Sequence, residues 1–171
     1  MHDTTVIILT YNEAIHFRRW IESVTGIARE VFLVDCFSSD QTAEIASQMG
    51  ATVIQNKRPG NQAIQFNWAL NNLPIKTKWV LRLDADEYLL PELADELKRR
   101  LVGLPDEQTG VVFKRRHIFM GKWVKQGTYP VKLLRLFQYK KAVCEQRWMD
   151  EQDRKSVVEG KSLYIGGGRI I

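Results

Sequence analysis

Asp84 and Asp86 stand one residue apart at the end of an apolar run, Trp79-Val80-Leu81-Arg82-Leu83. Alternate residues of an extended strand point the same way, so both carboxylates can converge on one point, with Ala85 keeping the turn uncrowded. Two converging carboxylates repel unless something positive lies between them. A hard divalent cation such as Mg2+ or Mn2+, itself holding substrate phosphates, is the usual answer. Asp-x-Asp is a common tripeptide, and in a solvated loop it carries no chemistry. Its meaning depends on the elements that position it.

Those elements are legible from periodicity. Thr4 to Leu9 is a mostly β-branched run ending in Thr10-Tyr11-Asn12-Glu13, after which Ile15, Trp20, Ile21 and Val24 recur at helical spacing, with Asn12 as the expected N-cap. Val31 to Val34 runs into Asp35, a polar loop from Cys36 to Thr42, and a helical segment that Gly50 closes. Ala51 to Gln55 reads as a third strand and Ala63 to Leu70 as a helix before the Asp-x-Asp strand. Strands alternating with helices imply crossover connections and an α/β fold with a mostly parallel sheet. Ligands of such sheets bind beyond the carboxyl ends of the strands, where Glu13, Asp35, Asp84 and Asp86 all fall.

The set Thr10-Tyr11-Asn12-Glu13, Val34-Asp35-x-x-Ser38-x-Asp40-x-Thr42 and Leu83-Asp84-Ala85-Asp86-Glu87 resembles, in order and spacing, the three motifs of family 2 glycosyltransferases. The resemblance implies the GT-A fold, a Rossmann-like sandwich typical of transferases that use nucleotide-diphospho-sugars. The run from Lys114 through Trp123, then Tyr129-Pro130 and Leu133 to Leu136, is similar to bacterial members that build lipopolysaccharide, capsule or exopolysaccharide. Together these motifs cover Thr5 to about Glu151. Cys36 is a departure, since the family more often has serine there; both are small.

The resemblance implies roles residue by residue. Thr10, Tyr11 and Glu13 would line the base and ribose pocket, although Tyr11 has an ordinary packed aromatic as its alternative. Asp35 would accept a hydrogen bond from the base, and a contact of that kind discriminates because an unmatched base edge leaves a buried carboxylate unpaired. Asp40 is the better candidate for a helix-capping aspartate. Lys57, Arg58, Asn61 and Gln65 fall where relatives meet the nucleotide, and cations there suit a diphosphate; a solvated basic loop is the alternative for Lys57 and Arg58. Asp84 is implied to serve ribose and metal-bound water, and Asp86 the metal.

What the resemblance implies chemically is inverting transfer of a sugar from a nucleoside-diphosphate sugar to a hydroxyl of a glycan or lipid-linked acceptor. A divalent ion would stabilise the leaving diphosphate, and a carboxylate on the opposite face would take the proton of the incoming hydroxyl. The matching acids are Asp150 and Glu151, with Glu145 as a rival. A surface acid paired with Arg147 is the alternative for Asp150. Two other classes stand beside a transferase: a non-catalytic fragment that binds nucleotide sugars, and a Mg2+-dependent phosphotransferase of the haloacid dehalogenase type. The latter places Asp-x-Asp on its first strand with Thr or Val two residues later, where this chain has Tyr88 on a late strand.

With 171 residues and a net charge of +5, the chain can bury one α/β core. No apolar run approaches the roughly 20 residues that cross a bilayer, and no signal peptide precedes the first strand. A cytoplasmic location is expected. Cys36 and Cys144 lack metal-ligand spacing and read as free thiols. His2, His16 and His117 are scattered and suggest no metal cluster. Lys114 to Arg116, Lys122, Lys125, Lys140 and Lys141, interleaved with Phe119, Trp123 and Tyr139, suit peripheral contact with an anionic membrane. No nucleic-acid-binding motif accompanies them.

From Asp153 on, the sequence has no amphipathic period and resembles a translated sequencing adapter. The expectation is therefore a transferase domain over 1–152, incomplete at its carboxyl end, followed by a non-native, mobile or weakly docked tail over 153–171.

Overall fold

The computed structural model describes residues 3–57, 60–120, 122–124 and 131–144, and the backbone of two strands at 156–158 and 161–170. The chain opens with β1 (Thr4–Thr10), α1 (Ala14–Val24), β2 (Glu30–Asp35), α2 (Thr42–Gln48), β3 (Thr52–Gln55), α3 (Gln62–Asn72) and β4 (Trp79–Asp84). There follow α4 (Pro91–Leu101), β5 (Gln108–Arg115), the two-residue strands β6 (Ile118–Phe119) and β7 (Lys122–Trp123), β8 (Val131–Gln138), β9 (Ala142–Cys144), β10 (Ser156–Val158) and β11 (Lys161–Ile170). Seven strands form one sheet in the order β11-β5-β8-β4-β1-β2-β3. β8 runs antiparallel to β4 and β5; every other pair in that sheet is parallel. This is the mostly parallel α/β sheet expected.

The pleat divides the core into two layers. Val6 and Ile8 of β1 face a cluster containing Trp20 of α1, Ala46 of α2, and Leu93 and Leu97 of α4. Ile7 faces the opposite way, toward Phe66, Ala69 and Leu70 of α3. α1 turns Trp20, Ile21 and Val24 inward as expected, but Phe17 rather than Ile15 completes the stripe. Phe17, Trp20, Ile21 and Val24 are buried, while Ile15 is 86% exposed. The inward set follows the i, i+3, i+4, i+7 spacing of one helix face, and Ile15, two residues before Phe17, falls on the far side. α4, for which no expectation was drawn, has Pro91 in its first turn, Glu92 near its amino end and Lys98, Arg99 and Arg100 in its last turn. Those charges complement the helix dipole.

β1 is the hinge of the topology. It pairs with β2 on one side and β4 on the other, in register so that Thr10 lies opposite Asp35 and Leu9 opposite Asp84. α1 and α2 pack on one face of the sheet and α3, which leads back to β4, on the other. A crevice opens at the carboxyl ends of strands where connections diverge in this way.

Beyond residue 152 two strands are described, where the side-chain pattern announced no element. β10 pairs antiparallel with β9, and β11 lies parallel to β5 at the sheet edge. An open edge offers main-chain N–H and C=O groups to any extended backbone, so a missing amphipathic period does not prevent pairing.

Candidate active site

The loop after β1 and the loop after β2 are tied together by short polar side chains. Asn12 is not the N-cap of α1: it sits at φ 56, in the left-handed region that asparagine tolerates, and Glu13 occupies the cap position. The Asn12 side-chain oxygen accepts from the Ser39 backbone N–H at 2.8 Å, and its own N–H donates to Ser38 Oγ at 2.9 Å. Asp40 takes the capping role. It accepts from the Ala14 N–H at 3.2 Å and the Thr42 N–H at 3.0 Å, joining the first turns of α1 and α2. Desolvation works against the charge on Asp40, but bonds from Thr42 and from the Ala14 amide hold its carboxyl below the ordinary value.

Asp35 is fully buried at the end of β2. It accepts from Thr10 Oγ1 at 3.2 Å, from the Ser38 N–H at 2.9 Å and from the Ser38 hydroxyl. Thr10 is likewise buried, whereas Tyr11 is 57% exposed and Lys57 is exposed. Asn61 caps α3 by accepting from the Ile64 N–H at 2.8 Å. Gln65 is 1% exposed and donates to Cys36 Sγ at 2.9 Å and to the Asn56 carbonyl, so it sits beneath the loop after β2 and braces it. Cys36 and Cys144 are both free thiols, as expected.

Asp84 and Asp86 occupy different environments. Asp84 Oδ2 accepts from Arg135 at 2.6 Å, and Arg82 lies 3.6 Å from Oδ1. The same Arg135 nitrogen reaches Glu87 at 2.7 Å, and Arg115 approaches Glu87 at 3.4 Å. A guanidinium thus stands beside Asp84. Asp86, by contrast, is exposed and lines a cavity of about 330 Å³ between α1, the turn after β4 and the end of β5. Among the described residues, no three His, Cys, Asp or Glu side chains are grouped closely enough to hold a metal ion unaided. Asp86 is still felt by Glu13. Burial first, then the charges of Asp86 and Asp40, push the Glu13 carboxyl up against the opposing pull of His16.

Burial would raise the Asp84 carboxyl, but Arg135, then Arg82 and Arg115, hold it below its ordinary 3.8. Burial raises Glu87, with Arg135 opposing and Asp84 adding to the rise. An acid whose folded pKa is depressed contributes stability that is present above its unfolded value and lost as pH falls through the folded one. The thermal midpoint is therefore expected to fall on acidification below about pH 4. Asp84→Asn should flatten that acid limb; an unchanged slope between pH 5 and 3 (about the window in which this linkage acts) would show that Asp84 does not carry it.

Arg82, Glu87 and Arg135 were not among the expected site residues. Arg135 sits in the run Leu133-Leu134-Arg135-Leu136, where its neighbours read simply as strand. Leu136 pairs with Val111 and Leu134 with Val112, a register shift that leaves Arg135 as the extra residue on β8. Bulges of this kind re-aim a side chain beside a site. The candidate base residues Asp150 and Glu151, their rival Glu145, and Arg58 lie outside the described residues. The strand leading toward the first three is clamped: Asn67 of α3 donates to the Cys144 carbonyl at 2.8 Å and accepts from its N–H at 2.9 Å.

Residues 5–159 match the model of glycosyl transferase family 2. The chain belongs to that family. It is 38% identical over 101 residues to an uncharacterized glycosyltransferase of Rickettsia felis, a match covering 57% of this chain and 34% of the relative. The chain thus matches about a third of that relative's length. Among solved structures, S. aureus TarS in complex with UDP aligns with a TM-score of 0.55 at 25% identity, over 75% of this chain and 39% of the other. Glucosyl-3-phosphoglycerate synthase from Mycobacterium tuberculosis, in complex with Mn2+, UDP and glucosyl-3-phosphoglycerate, shares the fold: its TM-score is 0.52 at 21% identity, over 66% of this chain and 44% of that one. The glycosyltransferase family and its GT-A architecture therefore agree with the sheet order and with the edge at which the three motifs meet.

Proposed function

We propose that this family 2 domain transfers a sugar, with inversion, from a nucleoside-diphosphate sugar to a hydroxyl of a cell-envelope glycan or lipid-linked acceptor, assisted by Mg2+ or Mn2+. The observation that carries this reading is the shared edge of the sheet. Thr10, Glu13 and Asp35 lie at the carboxyl ends of β1 and β2, and Asp84 and Asp86 at that of β4. Thr10, Tyr11, Glu13 and Asp35 take the nucleoside side, and Lys57, exposed in the segment after β3, is assigned to the diphosphate. Gln65 acts from below through Cys36. The donor set fits a hard cation held partly by substrate: Asp86 is an open carboxylate, Asp84 is 27% exposed, and ions such as Mg2+ commonly bind through one or two carboxylates plus phosphates. Such an ion would supply Lewis-acid stabilisation of the departing diphosphate. Asp150, with Glu151 as rival, is the proposed base, taking the acceptor's proton as the new bond forms.

Calorimetric titration of UDP, followed by release of UDP from a panel of nucleotide sugars with Mn2+ or EDTA, tests the reading. UDP binding without turnover would favour a nucleotide-sugar-binding fragment, a second reading supported by the short match to the relatives. Asp35→Ala is expected to lower UDP affinity about tenfold with or without Mn2+, because its contact is assigned to the base. If bare pyrophosphate loses as much affinity as UDP, that assignment is wrong.

None of the described helices is long and apolar enough to cross a membrane. The proposed membrane contact is peripheral, at the inner face of the cytoplasmic membrane. It is supported by Phe119 and Met120, exposed at 69% and 86%, close in sequence to Arg116 and Lys122. No nucleic-acid partner is proposed.

A further inference from the structure

The cavity beside Asp86 is built for an anion. α1 contributes Arg19 and Trp20, the turn after β4 contributes Asp86 and Tyr88, and the end of β5 with its following loop contributes Arg115 and Arg116. Arg19 lies over the Tyr88 ring at 5.3 Å and Arg116 over the Trp123 ring at 4.3 Å. Stacking of that kind occupies the face of a guanidinium and leaves its N–H edge to bond. Among the described residues neither arginine is paired with a carboxylate. Arg115 meets Glu87, but the charge of Glu87 is already matched more closely by Arg135.

Three buried donors add an independent sign. Among the described residues, the Nε atoms of Arg115 and Arg116 have no hydrogen-bond partner, and neither has Nε1 of Trp20, a residue 1% exposed. Buried donors without acceptors are costly, and a ligand oxygen would satisfy them. Burial first, and then the Arg115 charge, push the His117 imidazole down against the opposing pull of Asp86.

We propose that this cavity binds the phosphate group of the acceptor. Arginine forks match phosphate oxygens in geometry as well as charge. Arg115 and Arg116 lie away from the nucleoside side, while Asp86 in the same lining adjoins the donor-bound cation, so a phosphate here would sit across that cation from the nucleoside. Thr10 and Asp35 hold the nucleoside side on β1 and β2, whereas Arg115 and Arg116 end β5, beyond β4 and β8 in the opposite direction. The term acceptor rests on the transferase reading; the phosphate site itself does not. Under that reading Asp86, the exposed carboxylate of the lining, is offset by the donor-bound cation.

The test is calorimetric titration of glucose 6-phosphate and glucose, each with and without UDP and Mn2+. Glucose 6-phosphate is expected to bind at least about tenfold more tightly than glucose, also when UDP is bound. Arg116→Met and Arg19→Gln should each abolish that preference while leaving UDP affinity unchanged. Equal binding of the two sugars together with no arginine-dependent binding to phosphatidylglycerol vesicles, or a preference that survives both variants, overturns the proposal. So does competition between glucose 6-phosphate and UDP, which would assign the cavity to the donor. Should Arg116→Met not fold by circular dichroism, the helix-surface variant Arg19→Gln decides. Phosphatidylglycerol and phosphatidylcholine vesicles identify the source of the phosphate: arginine-dependent binding to the former alone, without binding of soluble sugar phosphate, makes it a lipid headgroup. Failure of UDP to bind would sink the transferase reading and leave the glucose 6-phosphate comparison to judge the cavity.

Discussion

Arg135→Met is expected to lower the thermal midpoint by about 10 °C at pH 7, the largest stability effect of any single substitution around the site. Arg135 is 1% exposed and one of its nitrogens bonds both Asp84 and Glu87. Methionine fills similar volume but leaves Asp84 and the 4%-exposed Glu87 facing each other, with Arg82 and Arg115 at 3.6 and 3.4 Å as the more distant cations. Breaking a buried pair from one side typically costs about 3–5 kcal/mol, because the surviving charge is uncompensated. A second readout separates this cause from simple loss of packing. Burial already raises Glu87, and without Arg135 its carboxyl should rise further. An acid with a raised folded pKa weakens the fold above that value, and the penalty is relieved as pH falls through it. The gap between variant and wild type should therefore narrow as the pH is lowered from about 7 and Glu87 takes up a proton. A gap that stays constant over that range points to packing alone, and a midpoint within a degree of wild type removes Arg135 from the role of keystone.

This arrangement also explains where sequence reasoning reached its limit. The strand ends carrying Thr10, Asp35 and Asp84 were legible because β-branched runs followed by polar turns are local patterns, and a parallel sheet brings such ends to one edge. Asp40 as a cap was legible for the same reason, since its partners lie in the adjoining turns. The inward face of α1 was legible at Trp20, Ile21 and Val24 but not at its first position, because Ile15 is apolar and yet stands off the stripe completed by Phe17. Arg135 was hidden for a different reason. Nothing within Leu133 to Leu136 announces a register shift, which arises from pairing β8 against β5, and that pairing decides that an arginine turns toward Asp84. The strand at 161–170 was hidden because main-chain pairing at an edge leaves little trace in side-chain order. Contacts between residues distant in sequence thus account for most of what the motifs left out.

Asp86→Asn should have the largest effect on ligand binding and almost none on stability. Asp86 is exposed and takes part in none of the ion pairs around Asp84 and Glu87, so the amide is expected to change folding free energy by less than about 0.5 kcal/mol. The same change removes the open carboxylate proposed to hold the divalent ion. Supporting residues around a metal commonly cost 10–100-fold when lost, and a direct ligand should cost at least about that much in the Mn2+ enhancement of UDP affinity. Affinity without metal should stay near wild type or rise slightly, since removing a negative charge reduces repulsion of the diphosphate. Glu13 provides an internal control. Asp86 is one of the charges that raise its carboxyl, so in the variant Glu13 should titrate at lower pH, with burial still acting on it. Nuclear magnetic resonance of the Glu13 side chain can follow that shift independently of nucleotide. If Glu13 moves while the Mn2+ enhancement persists in full, Asp86 shares the electrostatics of the crevice without being the residue that holds the ion, and the proposed metal role must pass elsewhere.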